Sequence, residues 1–145
     1  MTIARILQGK GGQVVSVGPL DDATAIARTL AQHRIGAVLV RDATGSVLGI
    51  VSERDIARAL AAHHEATARL RAEQLMTRVL HTATPETSVC EALALMTDRR
   101  VRHLPVLERD GSLAGMVSIG DLVKQRIAEA EQEAQELREF VTSAG

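Results

Sequence analysis

"GIVSERD" at residues 49–55 and "GMVSIGD" at residues 115–121 are one seven-residue frame used twice, 66 residues apart. Each runs glycine, apolar residue, valine, serine, two variable residues and aspartate, and an apolar residue follows each acid. A serine three residues before an acid is a helix-start signature, in which each side chain satisfies a backbone N–H of the other. Each frame therefore reads as a strand passing directly into a helix. Working outward, residues 15–58 lie over residues 81–124 at a constant offset of 66 without a gap. Pro19 meets Pro85, Val40 meets Val106, and Gly45-Ser46 meets Gly111-Ser112. Chance rarely keeps turn residues, apolar runs and an acid in one register, so the chain is an internal duplication.

Both copies predict the same elements. Short strands are expected at "VVSV" 14–17 and "VLHTA" 79–83, each followed by a proline turn. Helices follow over Ala23–His33 and Val89–Arg99. Asp22 caps the first, and Ser88 caps the second with Thr87 as a rival. Ala23, Ile26, Ala27 and Leu30, and then Val89, Ala92, Leu93 and Met96, recur at the spacing of one buried helix face. Strands "AVLV" 37–40 and "HLPV" 103–106 come next, with turns at 41–46 and 108–112. Strands "VLGIV" 47–51 and "LAGMV" 113–117 lead to helices opened by Ser52 and Ser118. Pro105 stands where the first copy has Leu39 and cannot donate to a ladder, so an edge or distortion is expected there.

Upstream, "IL" at 6–7 resembles "LM" at 75–76 with an offset of 69, which leaves three extra residues in the first copy near "GKGG" 9–12. The expected fold class is α/β in the α+β sense. Two β-α-β-β-α repeats pack about a pseudo-twofold axis, with a long helix over 121–142. The expected partition is a first repeat with N-terminal helix and linker at 1–70, a second repeat at 71–125 and a helical extension at 126–145.

The 145 residues are 46% hydrophobic with a single aromatic, Phe140, which is a core-forming composition. The net charge of -1 gives no strong field for nucleic acid or membrane, and no aromatics are interleaved to stack bases. No apolar run is long enough to span a bilayer, and the polar start does not resemble a signal peptide. Cys90 is the only cysteine; its place in a helical apolar pattern predicts a buried small hydrophobe. A soluble protein of the reducing cytoplasm is expected. His63-His64-Glu65 lacks the i, i+4 histidine spacing of a zinc helix, and "GKGG" is not a phosphate loop. No P-loop lysine, complete dinucleotide fingerprint or nucleophile elbow occurs, so the expectation is no enzyme, no metal and no catalytic cofactor.

With these residues on the page, the chain resembles a tandem pair of CBS domains, the cystathionine β-synthase type repeat, also called a Bateman module. The resemblance covers roughly residues 3–125 and rests on "HRIGAVLV", "GIVSERDI", "RVRHLPV" and "GMVSIGDLV". It implies an adenine nucleotide (AMP, ADP or ATP, with NAD less favoured) in the clefts between the repeats and a regulatory, non-enzymatic role. It also implies positions for the ligand. Asp121, or its counterpart Asp55, takes the ribose hydroxyls, with Ser118 and Ser52 in support. Capping alone accounts for the same residues equally simply. Arg54, Arg102 and His103 are placed to favour phosphate or base, although a solvated charged face explains them as well. His103 also titrates near neutral pH. Thr82, Thr84 and Pro85, Pro105, and Val17 in the first copy belong to the base-binding strand ends; threonines there also simply satisfy turns. Gly120 stands opposite Arg54, so the two clefts are expected to be unequal.

Ile127, Ala130, Ala134, Leu137 and Val141 recur at spacings of three and four, a heptad-like seam beyond what the repeat requires. It either lies back on its own domain or pairs with another subunit, and the resemblance implies a homodimer. The expected partners are an adenine nucleotide, a second copy and an unidentified regulated protein. The alternative is a ligand-independent dimeric scaffold or protein-interaction module.

Overall fold

The computed structural model describes residues 1–144. In chain order it has α1 (Ile3–Lys10), β1 (Ser16–Val17), α2 (Ala23–His33), β2 (Ala37–Arg41), β3 (Val47–Ser52) and α3 (Glu53–His63). A 3₁₀ segment (His64–Arg69) leads to α4 (Ala72–Leu75), α5 (Val89–Arg99), β4 (His103–Leu107), β5 (Leu113–Ser118) and α6 (Ile119–Ala144). Both helices predicted with explicit ends, α2 and α5, have those ends. Asp22 accepts the Ala25 N–H and Ser88 accepts the Glu91 N–H, so Ser88 rather than Thr87 is the cap. Arg34 and Arg100 close the two helices in the left-handed region, at φ 54° each.

The chain divides into two compact units. One is Gln13–Leu80; the other is Met1–Gly12 together with the chain from His81 onward. The sequence partition had grouped residues 1–12 with the first repeat and 71–80 with the second, and the structure exchanges these segments. The cause is local hydrogen bonding. The first turn of α1 donates from Ile3 and Ala4 to the carbonyls of Thr87 and Pro85, at 2.9 Å each. In the other unit Ala72 and Glu73, at the start of α4, donate to Asp21 and Pro19 at 2.7 and 3.0 Å. Helix starts leave N–H groups without intrahelical partners, and here the proline turns supply the acceptors. The paired positions obey the offset of 69 upstream and 66 downstream.

In the unit of the first repeat, β1 pairs in parallel with β2, and β2 pairs antiparallel with β3. Val17, Ile26, Leu30, Val38, Val40, Val51 and Leu75 form its core between sheet and helices. In the unit of the second repeat, β4 and β5 form a two-stranded antiparallel sheet, packed with Ile3, Ile6, Val89, Met96 and Leu122. The strand expected over 79–83 is reduced to a single bridge, Ala83 with Val106. Pro105 explains the loss. In the first repeat Leu39 donates to the Val15 carbonyl at 3.4 Å. The matching bond would run from residue 105 to His81, and proline has no N–H to give. Pro105 keeps only its carbonyl bond, accepting from Ala83 at 3.0 Å.

Two expected core positions are corrected. Cys90 is exposed, because it lies one residue beyond Val89 and off the stripe formed by Val89, Ala92 and Met96. Ala27 is exposed as well, since the buried face of α2 narrows to Ala23, Ile26 and Leu30.

The glycine of each repeated frame has a packing cause. A Cβ on Gly115 would stand 2.7 Å from Leu7 Cδ2, and one on Gly49 would stand 2.8 Å from Met76 Sδ. Leu7 and Met76 are the offset-69 partners, so each upstream segment closes over the glycine of its own unit's frame.

Candidate functional site

Each frame ends in a strand-to-helix corner. At the first, Ser52 and Asp55 form a reciprocal capping box. Asp55 Oδ2 accepts from the Ser52 amide at 2.8 Å and the Ser52 hydroxyl at 3.0 Å. Its Oδ1 accepts the Thr77 hydroxyl at 3.3 Å. Both carboxylate oxygens are thus engaged by neutral donors.

The second corner is built alike but bonded differently. The Ser118 amide donates to Asp121 Oδ2 at 2.8 Å, and the Asp121 amide donates to the Ser118 hydroxyl at 3.1 Å. The Lys10 ammonium reaches the same Oδ2 at 2.6 Å and also the Met116 carbonyl at 3.0 Å. Neither the Ser118 amide nor the Lys10 ammonium uses Asp121 Oδ1. Burial raises the Asp121 carboxyl, but the Lys10 ammonium and Ser118 outweigh it and hold the acid below its ordinary value. The corner therefore offers a fixed, ionised, half-buried carboxylate with one oxygen that the Ser118 amide and Lys10 leave unused, and a lysine beside it.

The other residues expected at this site belong to the same unit. His103 pairs with Ser118 across the β4–β5 ladder, next to the corner, and is half-buried. The Arg102 carbonyl accepts the Ile119 N–H at 2.8 Å, so the exposed Arg102 stands beside the first residue of α6. Pro105 is buried two residues along β4. Thr82 is exposed with no side-chain bond among the described residues. The Thr84 hydroxyl lies 3.2 Å from that of Thr87, within the turn before α5, and the Pro85 carbonyl is taken by Ala4. Thr84 and Pro85 thus have structural duties already.

In the first-repeat unit Arg54 is exposed on α3, one residue before Asp55, without a hydrogen bond or ion pair among the described residues. Val17 is 8% exposed and packs in the core, so it offers a ligand its backbone only. A groove of about 610 Å³ in this unit is lined by Ala27, Leu30, Ile35 and Ile56, with Arg34 and Glu53 among its walls. None of the expected site residues lines it.

Lys10 is the residue that the sequence reading missed. It lies 111 positions from Asp121 in a segment read as a plain glycine turn. The signal was present in the offset of 69, which matches the upstream segment to the stretch that reaches the first corner.

Among the described residues no group of three or more His, Cys, Asp or Glu is arranged to hold a metal ion. No helix among them is long and apolar enough to cross a membrane.

The CBS domain family matches the chain twice, over residues 12–62 and 72–127. The mitochondrial CBS domain-containing protein CBSX3 of Arabidopsis thaliana is 34% identical, covering 97% of this chain and 71% of its own length. The crystal structure of a CBS-domain containing protein from Agrobacterium tumefaciens aligns with TM-score 0.84 at 41% identity, over 86% of this chain and 92% of that one. A CBS domain protein from Pyrobaculum aerophilum, solved in complex with AMP, aligns with TM-score 0.73 at 25% identity, over 83% of this chain and 89% of that one.

Proposed function

The chain belongs to the CBS-domain family, and from that premise we propose that it is a non-catalytic regulatory module that binds an adenine nucleotide at the second-repeat corner. The observation that carries the proposal is that the Ser118 amide and Lys10 both bond Asp121 at Oδ2 and leave Oδ1 unused. A carboxylate fixed at one oxygen by Ser118 and Lys10 can accept ribose hydroxyls at the other without breaking its cap. Lys10, Arg102 and His103 add cationic and hydrogen-bonding groups suited to phosphate. AMP is the favoured ligand, supported by the AMP complex of the Pyrobaculum relative. ADP and ATP come next, and NAD last. Asp55 is the weaker site, because a ligand there must displace Thr77.

Regulation follows when the ligand has different affinities for two states of the protein, one of which a partner protein recognises. A homodimer and a cytoplasmic location belong to the same proposal. The exposed free thiol of Cys90 fits a reducing compartment.

Calorimetric titration with AMP, ADP, ATP and NAD tests the proposal. The expected result is saturable binding of AMP that Asp121→Asn weakens by about tenfold or more and Asp55→Asn leaves nearly unchanged; tenfold corresponds to about 1.4 kcal/mol. Loss in Asp55→Asn alone moves the site to the first repeat. Absence of heat for all four nucleotides at two temperatures, with folding verified, rejects the sensor in favour of a ligand-independent scaffold. The exposed apolar stripe of α6 is the observation that favours that second reading.

A further inference from the structure

The last helix carries two faces with different roles. Leu122 is fully buried and Gln125 and Glu129 are half-buried, so this side of α6 packs on its own unit. A second stripe starts at Val123 and runs through Ile127, Ala130, Ala134 and Leu137 to Val141. At 3.6 residues per turn this stripe is turned roughly 130° from the buried one, so a helix docked on its own unit leaves it free. Val123 is 43% exposed, Ile127 54%, Leu137 64% and Val141 64%. Both alanines between them are exposed as well. The spacing of alternate fours and threes is a heptad seam. Ile127, Ala134 and Val141 fill a positions, and Val123, Ala130 and Leu137 fill d positions.

The charges beside the seam select its occupant. Arg126 and Glu133 occupy g positions, and Lys124, Glu131 and Arg138 occupy e positions. When two copies lie parallel and in register, each g residue faces the e residue five positions later on its neighbour. Arg126 then meets Glu131, and Glu133 meets Arg138, each pair formed twice by symmetry. When the same seams overlap antiparallel, e faces e and g faces g. Glu131 would meet Glu131, Glu133 would meet Glu133, and Lys124 would meet Arg138, all of like sign. Ile127 and Val141 at a, with Leu137 at d, also fit the pattern of two parallel strands. We propose that residues 123–141 of α6 pair with the same residues of a second copy as a parallel, in-register two-stranded coiled coil. The proposal rests on this helix alone and not on nucleotide binding.

Sedimentation velocity of the full chain over a range of concentrations, with circular dichroism to verify helix content, tests it. The wild type is expected to show a concentration-dependent dimer. Arg126→Glu with Arg138→Glu makes the flanks uniformly repulsive and is expected to weaken the dimer at least tenfold. Glu131→Arg with Glu133→Arg is expected to do the same. An equimolar mixture of the two double variants is expected to recover the dimer. Val141→Cys in a Cys90→Ser background reports orientation. Parallel pairing places the two introduced thiols at facing a positions, so mild oxidation yields a disulfide-linked dimer. A wild type that stays monomeric at every concentration overturns the proposal, as does a dimer indifferent to both charge variants. A dimer without the Val141→Cys cross-link overturns the parallel arrangement.

Discussion

The two frame glycines predict an asymmetry in stability that their matching places in the repeat do not. In Gly49→Ala the new Cβ would stand 2.7 Å from the Thr77 carbonyl oxygen, 2.8 Å from Met76 Sδ and 3.0 Å from Met76 Cγ. The Thr77 oxygen is not free to retreat. It accepts the Ile50 N–H at 3.1 Å while the Thr77 N–H donates to Ile50 at 2.9 Å. In Gly115→Ala the three atoms nearest the new Cβ all belong to Leu7, at 2.7 Å for Cδ2, and Leu7 is a half-buried side chain able to change rotamer. Overpacking costs about 1–3 kcal/mol, and weakening the bridge bonds costs about 0.5–1.5 kcal/mol for each one lost. Alanine in place of glycine returns about 0.5–1 kcal/mol through the unfolded chain. Gly49→Ala should therefore destabilise by about 2–3 kcal/mol, and Gly115→Ala by about 1 kcal/mol or less. For a chain of this size the first corresponds to a fall in Tm of about 5–10 °C. The chain contains no Trp or Tyr, so urea and thermal unfolding are best followed by far-ultraviolet circular dichroism. Equal losses at the two glycines, or a larger loss at Gly115, would refute the claim that a fixed carbonyl rather than side-chain crowding decides the cost.

The Asp121–Lys10 pair gives a pH signature. Asp121 is held below its ordinary value of 3.8, so the stability it contributes is present above that pH and is lost as pH falls through the lower folded-state value. Lys10→Met should cost about 0.5–1 kcal/mol near neutral pH, and the gap to wild type should narrow as pH falls below the ordinary carboxylate value; a gap independent of pH in urea titrations would remove the pair as its source. Pro105→Leu restores the N–H that the first repeat has at Leu39, and hydrogen exchange should show a protected amide at residue 105 as the strand beside β4 extends to His81. An amide that exchanges at the unprotected rate would mean that something other than the missing donor keeps that segment from pairing.

Much of the fold was readable because the duplicated sequence states each element twice. The ends of α2 and α5 follow from a capping oxygen at one side and a left-handed residue at the other. Pro105 was recognised as a conflict, but its effect fell on a neighbour, the 79–83 segment that loses its hydrogen-bond donor. Cys90 and Ala27 were misjudged because periodicity gives the centre of a helix face better than its width. The exchange of upstream segments between units was hidden for a different reason. Sequence proximity places α1 beside the first repeat, whereas its free N–H groups find their acceptors at Pro85 and Thr87. Lys10 was missed with it, since its role exists only once that exchange is known.

Apart from Leu39 against Pro105, the buried strand positions of the two repeats match more closely than their corners do. Val38, Val40 and Val51 in one core correspond to Leu104, Val106 and Val117 in the other, all fully buried. Close-packed interiors tolerate only small changes of volume, which keeps such positions apolar and similar in size. Apart from the buried Ala37, the differing corner residues reach solvent and carry no such limit. Arg54 stands against Gly120, Gly36 against Arg102 and Ala37 against His103, while Thr77 serves one acid and Lys10 the other. The serine–aspartate bonds survive at both corners because each caps a helix start, which is worth about 1 kcal/mol wherever the helix is needed. What has changed is the chemistry around a conserved geometry. A diol approaching Asp55 competes with the Thr77 hydroxyl already on Oδ1, whereas the Ser118 amide and Lys10 hold Asp121 by Oδ2 and leave Oδ1 unused. The same cap can therefore be purely structural in one repeat and available to a ligand in the other, and the residues around it decide which.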